Sequence, residues 1–449
     1  MTYSTESLER ATVEAMQRFS KRYIISFIVL SAFVVAGIVA YINQLQNGLY
    51  ETGMRDRITW GLYIVMFVFF IGASMGGTFV SAALRLADMG WRAPISRGAE
   101  YITVSALFTA SLFIFADMGH PERAINILLF GRWESPLVWD VYGLNTYIAG
   151  SMVYLYLAVL PDLALVRDRV GHQLDPIRRL FVIMFSASWT GHPKQVKALD
   201  TSLKVMTVVI VPVAVMMHTV TSWIFGMTLR EPWDSPMFGI YFVVGAVYSG
   251  VGLIVVFMYV MRRMNHMEAF LTERHFLNMG KLLAGAGGVM IFFQISDLVT
   301  AGFKLKGDSA FNLYQLADGA MAPIFWTYIW VGLMIPLALM LLPWTRTIWG
   351  VLIASVLANV GMMLERYFIV IGGLRLPLNP YHAPSYMPTL TELTIVLGLC
   401  SLFILILMIM MKLAPAISVQ EMIETGEIEA VQHDARRAAS TDGPEGAVA

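Results

Sequence analysis

The sequence predicts an all-α integral membrane protein with about ten transmembrane helices, and three observations lead to this fold class. Of the 449 residues, 57% are hydrophobic and only 14% are charged, which is too apolar for a water-soluble protein of this length. Apolar runs of about 20 residues, the length that crosses a hydrocarbon core as a helix, recur along the chain. The runs are continuous rather than alternating, which favours helices over a β-barrel.

Ten apolar runs are separated by polar or charged connections. The predicted spans, numbered 1 to 10 in chain order, are 23-43, 59-84, 98-117, 137-160, 203-226, 238-261, 281-303, 324-343, 347-372 and 392-413. Lys and Arg are concentrated in the N-terminal segment, in alternate loops and in the C-terminal tail. By the positive-inside rule, both termini are predicted to be cytoplasmic, and the loop after span 3 is predicted to be on the outer side. The membrane is predicted to be the inner (cytoplasmic) membrane.

Three regions follow from this division. Residues 1-22 mix charges with Tyr3, Leu8 and Phe19, which predicts a cytoplasmic amphipathic segment on the membrane surface. Residues 23-413 form the ten-helix membrane domain. Residues 414-449 are predicted to be a cytoplasmic tail that is partly disordered, because the end of the chain is small and polar.

A weak internal repeat predicts how the helices are grouped. The segments 61-GLYIVMFVFFIGAS-74 and 239-GIYFVVGAVYSGVG-252 share a glycine, an aliphatic residue, a tyrosine and then an apolar face that contains glycine. Four spans separate the two copies, so both run in the same direction. This predicts two four-helix bundles, spans 2-5 and spans 6-9, with spans 1 and 10 peripheral. Glycines such as Gly76 and Gly77 are expected to allow close packing of span 2.

Ionisable and aromatic residues gather near the predicted outer ends of the spans. Such side chains are costly inside a membrane, so each is a candidate for function. The candidates are Asp117, His120, Arg123, Trp139, Asp140, Tyr142, His218, Asp297, Glu365 and Arg366.

The chemistry of Asp117, His120 and Asp140 suits quinol oxidation, which releases two protons. A base that accepts a hydrogen bond from a quinol hydroxyl eases the reaction, and histidine has a suitable pKa for this role. We expect His120 and Asp140 to accept protons and Asp117 to orient His120. Trp139 and Tyr142 would line the ring of the quinone.

Other interpretations stay open for the remaining candidates. Arg123 either binds the quinone or contacts lipid phosphate groups, and His218 either binds the quinone or makes a polar contact between helices. Asp297 either takes part in proton transfer or makes a structural hydrogen bond. Glu365 and Arg366 either extend that proton path or form ion pairs with neighbouring helices, since adjacent residues on a helix face different directions.

The sequence also indicates which cofactors to exclude. Of the eight histidines only His218 lies well inside a span, so no axial pair for a haem is visible, and the single cysteine, Cys400, cannot hold an iron–sulfur cluster. We expect no haem, no iron–sulfur cluster and no metal in this chain. Any electrons must then be exchanged between a diffusible carrier and a partner subunit.

Several segments resemble the polysulfide reductase membrane-anchor family, also called NrfD-like. They are 60-WGLYIVMFVFFIGASMGGTFVSAALRL-86, 116-ADMGHPERAINILL-129, 135-SPLVWD-140 and 364-LERYFIVIGGL-374. The chain is most similar to the ten-span forms, the quinol-interacting subunits of alternative complex III and of transmembrane complexes of sulfur metabolism. The resemblance implies binding of menaquinone or ubiquinone near the outer face and no cofactor in the chain itself.

The resemblance further implies partners and roles for single residues. An iron–sulfur subunit would dock on the outer face, alongside other membrane and catalytic or cytochrome subunits. Asp117, His120 and Asp140 correspond to the polar cluster associated with the quinone, and Asp297 to a proton route in the second bundle. Span 7 departs from the alternative complex III pattern because it has few aromatic and acidic residues, which argues against proton pumping.

These inferences predict a quinone-binding membrane subunit of a respiratory oxidoreductase complex, with no nucleic-acid partner. A secondary transporter is the alternative from another class, since ten spans and a parallel repeat also suit that function. Transporters usually place their polar site at the middle of the membrane and break helices there, whereas these acids gather at one end. A passive membrane anchor is the third interpretation.

Overall fold

Ten helices of the computed structural model are long and apolar enough to cross a membrane, among the residues it describes: 5–228, 230, 233–304, 307–376 and 384–433. This confirms the all-α fold class and the ten predicted spans. Spans 1 to 10 are Lys21–Asn47, Leu62–Leu86, Gly90–Asp117, Pro136–Arg169, Pro193–Gly226, Phe238–Met264, Glu273–Lys304, Ala322–Leu341, Ile348–Arg375 and Leu390–Leu413. Residues 434–449, the last 16 residues of the predicted tail 414-449, lie outside the described residues.

Several helices extend beyond the predicted limits. Span 4 was predicted to end at residue 160 but continues to Arg169, and span 5 begins at Pro193 rather than at residue 203. Spans 3 and 7 also begin 8 residues before their predicted starts of 98 and 281, at Gly90 and Glu273. Hydropathy detects only the apolar part of a helix, whereas the backbone hydrogen bonds continue into the polar residues beyond it. Proline in the first turn of spans 4 and 5 suits these starts, because its missing N–H has no partner there anyway.

The spans pack both against neighbours in the chain and against spans far away in sequence. Span 2 packs against spans 3 and 6, span 4 packs against span 5, and span 9 packs against spans 6 and 8. Span 1 packs against span 10, which also packs against span 3. The division into two four-helix bundles stays a prediction. The end that carries the loop after span 3 is called the His120 end below, and the opposite end is called the Glu421 end.

Close backbone approach joins span 2 to its neighbours, as its glycines predict. A Cβ atom added to Gly76 would lie 2.2 Å from the Cα atom of Gly250 in span 6. A Cβ atom added to Gly77 would lie 2.1 Å from the hydroxyl oxygen of Thr103 in span 3. Only glycine fits at these two contacts, so the packing role of Gly76 and Gly77 is confirmed.

Both ends of the described chain pack onto the Glu421 end of the membrane domain. The helix Thr5–Gln17 contacts span 10 and the short helix Val419–Glu424, and it buries Leu8 and Met16. The Lys412 ammonium donates hydrogen bonds to the carbonyl oxygens of Ala15 at 2.5 Å and Arg18 at 2.7 Å. This pairs a lysine with the negative end of a helix dipole. The predicted placement of residues 1-22 on the membrane surface stays a prediction.

The contact between spans 2 and 6 predicts the effect of a single methyl group. We expect Gly76→Ala to lower the free energy of unfolding by about 1–3 kcal/mol, because the new methyl overlaps the backbone of Gly250. Gly285→Ala is the matched control, since no atom lies within 4 Å of a Cβ atom at that position. Thermal unfolding in detergent measures both variants, and equal melting temperatures would contradict the close contact.

Candidate functional site

Asp140 is a buried acid near the start of span 4, at the His120 end. Its side chain is 3% exposed, and its Oδ1 atom accepts a hydrogen bond of 2.6 Å from the hydroxyl of Thr221 in span 5. Pro136 starts the helix after Ser135, which places Asp140 in the second turn, facing span 5. Within the described part of the chain no other side chain bonds this carboxyl, so Oδ2 can accept a further hydrogen bond.

Two pairs of aromatic side chains lie around the start of span 4. The Trp139 ring lies edge-on to that of Trp223 in span 5, with centroids 6.4 Å apart, and its indole N–H donates to the carbonyl of Trp133. Tyr142 stacks on Trp133, with centroids 5.0 Å apart, and is 37% exposed. Trp139 precedes the acid in the helix, and its role in lining the quinone ring stays a prediction, whereas Tyr142 lies against the preceding loop.

His218 bridges two helices in the interior. The imidazole lies 2.8 Å from the carbonyl oxygen of Ala214 in its own helix and 2.9 Å from that of Ile71 in span 2. It is 1% exposed and lies three residues before Thr221, on the same face of span 5. A polar contact between helices, one of the two interpretations of His218, is therefore what the structure contains. Binding a quinone with this imidazole would require one of these two contacts to break.

His120 and Arg123 lie in the exposed loop after span 3. The His120 side chain is 64% exposed and its Nδ1 atom lies 2.9 Å from Oε1 of Glu122, while the Arg123 side chain is 66% exposed. A hydrogen bond from its own backbone, followed by the contacts with His120 and Arg123, holds the pKa of Glu122 below its usual value. Within the described residues the His120 imidazole contacts Glu122 and no hydrogen bond joins it to Asp117, so the role of Asp117 in orienting His120 stays a prediction.

Asp117 belongs to a different polar cluster, formed by spans 1, 2, 3 and 10. Its Oδ1 atom is buried and has no hydrogen-bond partner among the described residues, and it interacts electrostatically with Glu392 and Tyr63. The Tyr63 hydroxyl donates to Gln44 at 2.6 Å, and Glu392 is fully buried and accepts from the Tyr386 hydroxyl at 2.6 Å. The acids predicted to form one cluster therefore have different neighbours.

The remaining predicted residues lie in spans 7 and 9. Glu365 and Arg366 are buried and contact each other directly, and the Arg366 guanidinium lies 4.7 Å from the ring centre of Phe242. The two side chains therefore pair with each other and also meet span 6, while the choice between a structural pair and a proton path stays a prediction. Asp297 is partly buried in span 7 and has a partner.

A buried charge network at the Glu421 end was missed in the sequence. Arg97 is 1% exposed and donates to Glu100 at 2.9 Å and to Asp162 of span 4 at 2.8 Å. The predicted span 3 began at residue 98 and so excluded the arginine. The spacing of Arg97 and Glu100, three residues apart, is a signal for a pair on one helix face, but the partner in span 4 is visible only in three dimensions.

Glu421 attaches the C-terminal segment to the same end. Its carboxylate contacts Arg85 at 2.6 Å and Arg92 at 3.0 Å. Burial raises the pKa of this carboxyl, but the two arginines outweigh burial and hold the pKa below its usual value. The described part of the tail is therefore held by charge pairs at least as far as this residue.

Hydroxyl groups lie between the two ends, inside spans 2 to 4. The Thr78 and Tyr147 hydroxyls are 2.6 Å apart, and the carbonyl of Ser74 accepts from Tyr147 at 3.2 Å and from Thr103 at 3.1 Å. The Ile71 carbonyl receives both the Ser74 hydroxyl, at 2.6 Å, and a contact with His218. Over the described ranges, no three His, Cys, Asp or Glu side chains are grouped to hold a metal ion.

Comparison with known proteins places this architecture in a family. The model of the polysulphide reductase NrfD family matches residues 50–377, which is most of the chain. The chain belongs to the NrfD polysulphide reductase family. Its resemblance to this family, first seen in the span 2, span 3 and span 9 segments, is confirmed.

Three curated NrfD relatives match over nearly their whole length. A putative membrane subunit of dimethyl sulfoxide reductase from Halobacterium salinarum is 30% identical, over 86% of this chain and 90% of the relative. A subunit of the selenate reductase from Mesobacillus selenatarsenatis is 24% identical, over 88% and 95%. An Hdr-like menaquinol oxidoreductase integral membrane subunit from Archaeoglobus fulgidus is 23% identical, over 90% and 97%.

The hydrogen bond between Thr221 and Asp140 predicts a loss of stability in this NrfD protein. We expect Thr221→Val to lower the free energy of unfolding by about 1–3 kcal/mol, because the buried Asp140 carboxyl loses the hydrogen bond from the Thr221 hydroxyl. Thr219→Val, on a more exposed face of span 5, should change it by less than about 0.5 kcal/mol. Thermal unfolding of both variants in the Asp140→Asn background completes the test, since additive effects would mean that the two groups do not interact.

The Glu421 pairs predict pH-dependent docking of the C-terminal segment. A carboxyl whose pKa is lowered by folding stabilises the folded state above its unfolded pKa, about 4.3, and that contribution is lost as pH falls through the lower folded value. Glu421→Gln should reduce the free energy that holds the C-terminal segment in place by about 3–5 kcal/mol, because it leaves Arg85 and Arg92 without their anionic partner. Hydrogen exchange of Val419–Glu424 at neutral pH measures this, with exposed Glu424→Gln as the control. Unchanged protection in Glu421→Gln would show that other contacts hold the segment.

Proposed function

We propose that this NrfD protein is the quinone-binding membrane subunit of a respiratory oxidoreductase complex. It would exchange electrons with an iron–sulfur partner subunit, as part of a larger set of membrane and catalytic or cytochrome subunits. The names of its relatives support this proposal, since they are membrane subunits of reductases and of a menaquinol oxidoreductase. The orientation, with the His120 end outside and both termini in the cytoplasm, is part of the proposal.

The buried carboxyl of Asp140 is the observation that carries the proposed function. An acid that is 3% exposed and bonded to one neutral hydroxyl is costly to maintain for stability alone. A quinol hydroxyl approaching Oδ2 of this acid would donate a hydrogen bond to it. The edge-on rings of Trp139 and Trp223, at the same end of spans 4 and 5 as the acid, would hold the flat quinol ring.

Proton and electron transfer would then divide between the chain and its partner. Oxidation of the quinol gives a quinone, two protons and two electrons. One of the two protons passes to the Asp140 carboxyl, and the other passes to the exposed imidazole of His120 at the surface. The electrons leave for the redox group of the partner subunit, so the chain itself needs to supply only binding, orientation and proton acceptance.

Proton storage and proton transfer are the roles proposed for four further residues, Asp117, Asp297, Glu365 and Arg366. Asp117 and Glu392 are two acids near each other at the His120 end, which suits a store of protons beside the site. Asp297 in span 7, with Glu365 and Arg366 in span 9, would belong to a proton path in the second bundle. Arg123, at the surface, would contact the quinone on entry or a phosphate of the membrane.

Binding of a hydroxyquinoline quinol analogue to the purified complex tests this function by fluorescence titration. Asp140→Asn should weaken binding by about tenfold to a hundredfold, because a hydrogen bond to a charged group contributes about 1.5–3 kcal/mol. His120→Ala should reduce binding less and slow quinol oxidation more, because the imidazole lies at the surface.

Asp117→Asn is the matched control, since it neutralises a second buried acid at the same end of the membrane domain. If Asp117→Asn weakens binding and Asp140→Asn does not, the quinone site lies in the cluster of Tyr63, Gln44 and Glu392 instead. Failure of the folded wild-type complex to bind the analogue would favour a transporter or a passive anchor.

A further inference from the structure

A crevice on the membrane-facing side of the chain is not used by the proposed function. It lies between spans 1, 6 and 10 toward the Glu421 end and has a volume of about 650 Å³. This is within the range of about 300–1,000 Å³ that is typical of small-molecule pockets. Its shaft is lined almost wholly by apolar side chains, among them Val29, Leu30, Phe257, Val260, Phe403 and Leu407.

The mouth of the crevice is polar and basic. A second cavity of about 110 Å³ adjoins the shaft, and the two share Tyr23, Met264, Asn265 and Lys412. Arg18 and His266 line this cavity and are exposed, and Glu14 is the acid on its rim. Lys412 donates two hydrogen bonds to backbone carbonyls, so one of its three N–H groups remains for a ligand.

We propose that this crevice binds one anionic glycerophospholipid. The phosphate would lie at Arg18, His266 and Lys412, because basic side chains form charge-assisted hydrogen bonds with phosphate oxygens. An acyl chain would fill the apolar shaft. The location of the crevice toward the Glu421 end favours an anionic lipid, since this end is predicted to face the cytoplasm, where the leaflet is rich in anionic lipids.

The position of the crevice gives the lipid a structural role. Span 1 is the least buried of the ten spans and packs mainly on span 10. A lipid in the shaft would contact spans 1 and 10 on one side and span 6 on the other. It would therefore attach the peripheral pair of helices to the rest of the membrane domain, and its removal would loosen span 1 first.

Native mass spectrometry of the purified protein, titrated with phosphatidylglycerol or phosphatidylcholine of identical acyl chains, tests this site. We expect one phosphatidylglycerol to bind at least about tenfold more tightly than phosphatidylcholine, because both lipids carry a phosphate but only the cationic choline group would be repelled by Arg18 and Lys412. Arg18→Gln with His266→Asn should abolish this preference. Asparagine is chosen because residue 266 has a φ of 55°, which asparagine tolerates.

Two variants of span 1 separate the shaft from its surroundings. Val29→Trp should block the shaft and weaken binding of both lipids, while Val35→Trp, on the same helix, 60% exposed and outside the crevice, should leave both unchanged. Equal affinity of the two lipids in the wild type, or normal binding in Val29→Trp, would overturn the proposal. Displacement of the lipid by a long-chain quinone at equal stoichiometry would assign the crevice to an isoprenoid tail and would also overturn it.

Discussion

The cost of burying an ionisable side chain among apolar helices shapes both ends of this NrfD protein. At the Glu421 end the cost is met by pairing charges, as in the contacts of Arg97 with Glu100 and Asp162. At the His120 end, the Asp140 carboxyl accepts a hydrogen bond from the neutral hydroxyl of Thr221. The two solutions have different consequences. Paired charges attach helices and the C-terminal segment to each other, whereas a carboxyl that is only partly bonded is available to a ligand.

The separation of Asp140 from Asp117 gives the proposed site a direction. Asp140 faces span 5. Trp139 and Trp223 are closer along their helices to the His120 end than Asp140 and Thr221 are. Asp117 faces spans 1, 2 and 10, where Tyr63 and Glu392 lie. A quinol that entered between spans 4 and 5 would meet the aromatic rings first and the acid second. This order suits a hydrophobic substrate that reaches the site from the lipid.

Sequence alone was sufficient for the features that depend on composition. Ten spans followed from hydropathy, and the glycine contact of span 2 followed from the need of small residues for close packing. The ends of spans 3, 4, 5 and 7 did not, because a helix continues through charged residues once its backbone is hydrogen-bonded. Arg97 was assigned to a loop for this reason, and its buried network was missed.

Contacts between side chains were the part that sequence could not supply. The spacing of Asp117 and His120 is compatible with a hydrogen bond, but the extended residue Met118 between them turns the imidazole to Glu122. Glu365 and Arg366 are adjacent in sequence and were expected to diverge, yet their side chains are long enough to meet. Thr221 lies 81 residues after Asp140, and only the packing of span 4 on span 5 brings them together.

The most direct measurement is a cryo-electron microscopy map of the purified complex with a hydroxyquinoline quinol analogue bound. The account predicts ring density between Trp139 and Trp223, within hydrogen-bond distance of the Asp140 carboxyl. Density beside Asp117 and Tyr63, or within the crevice between spans 1, 6 and 10, would contradict it.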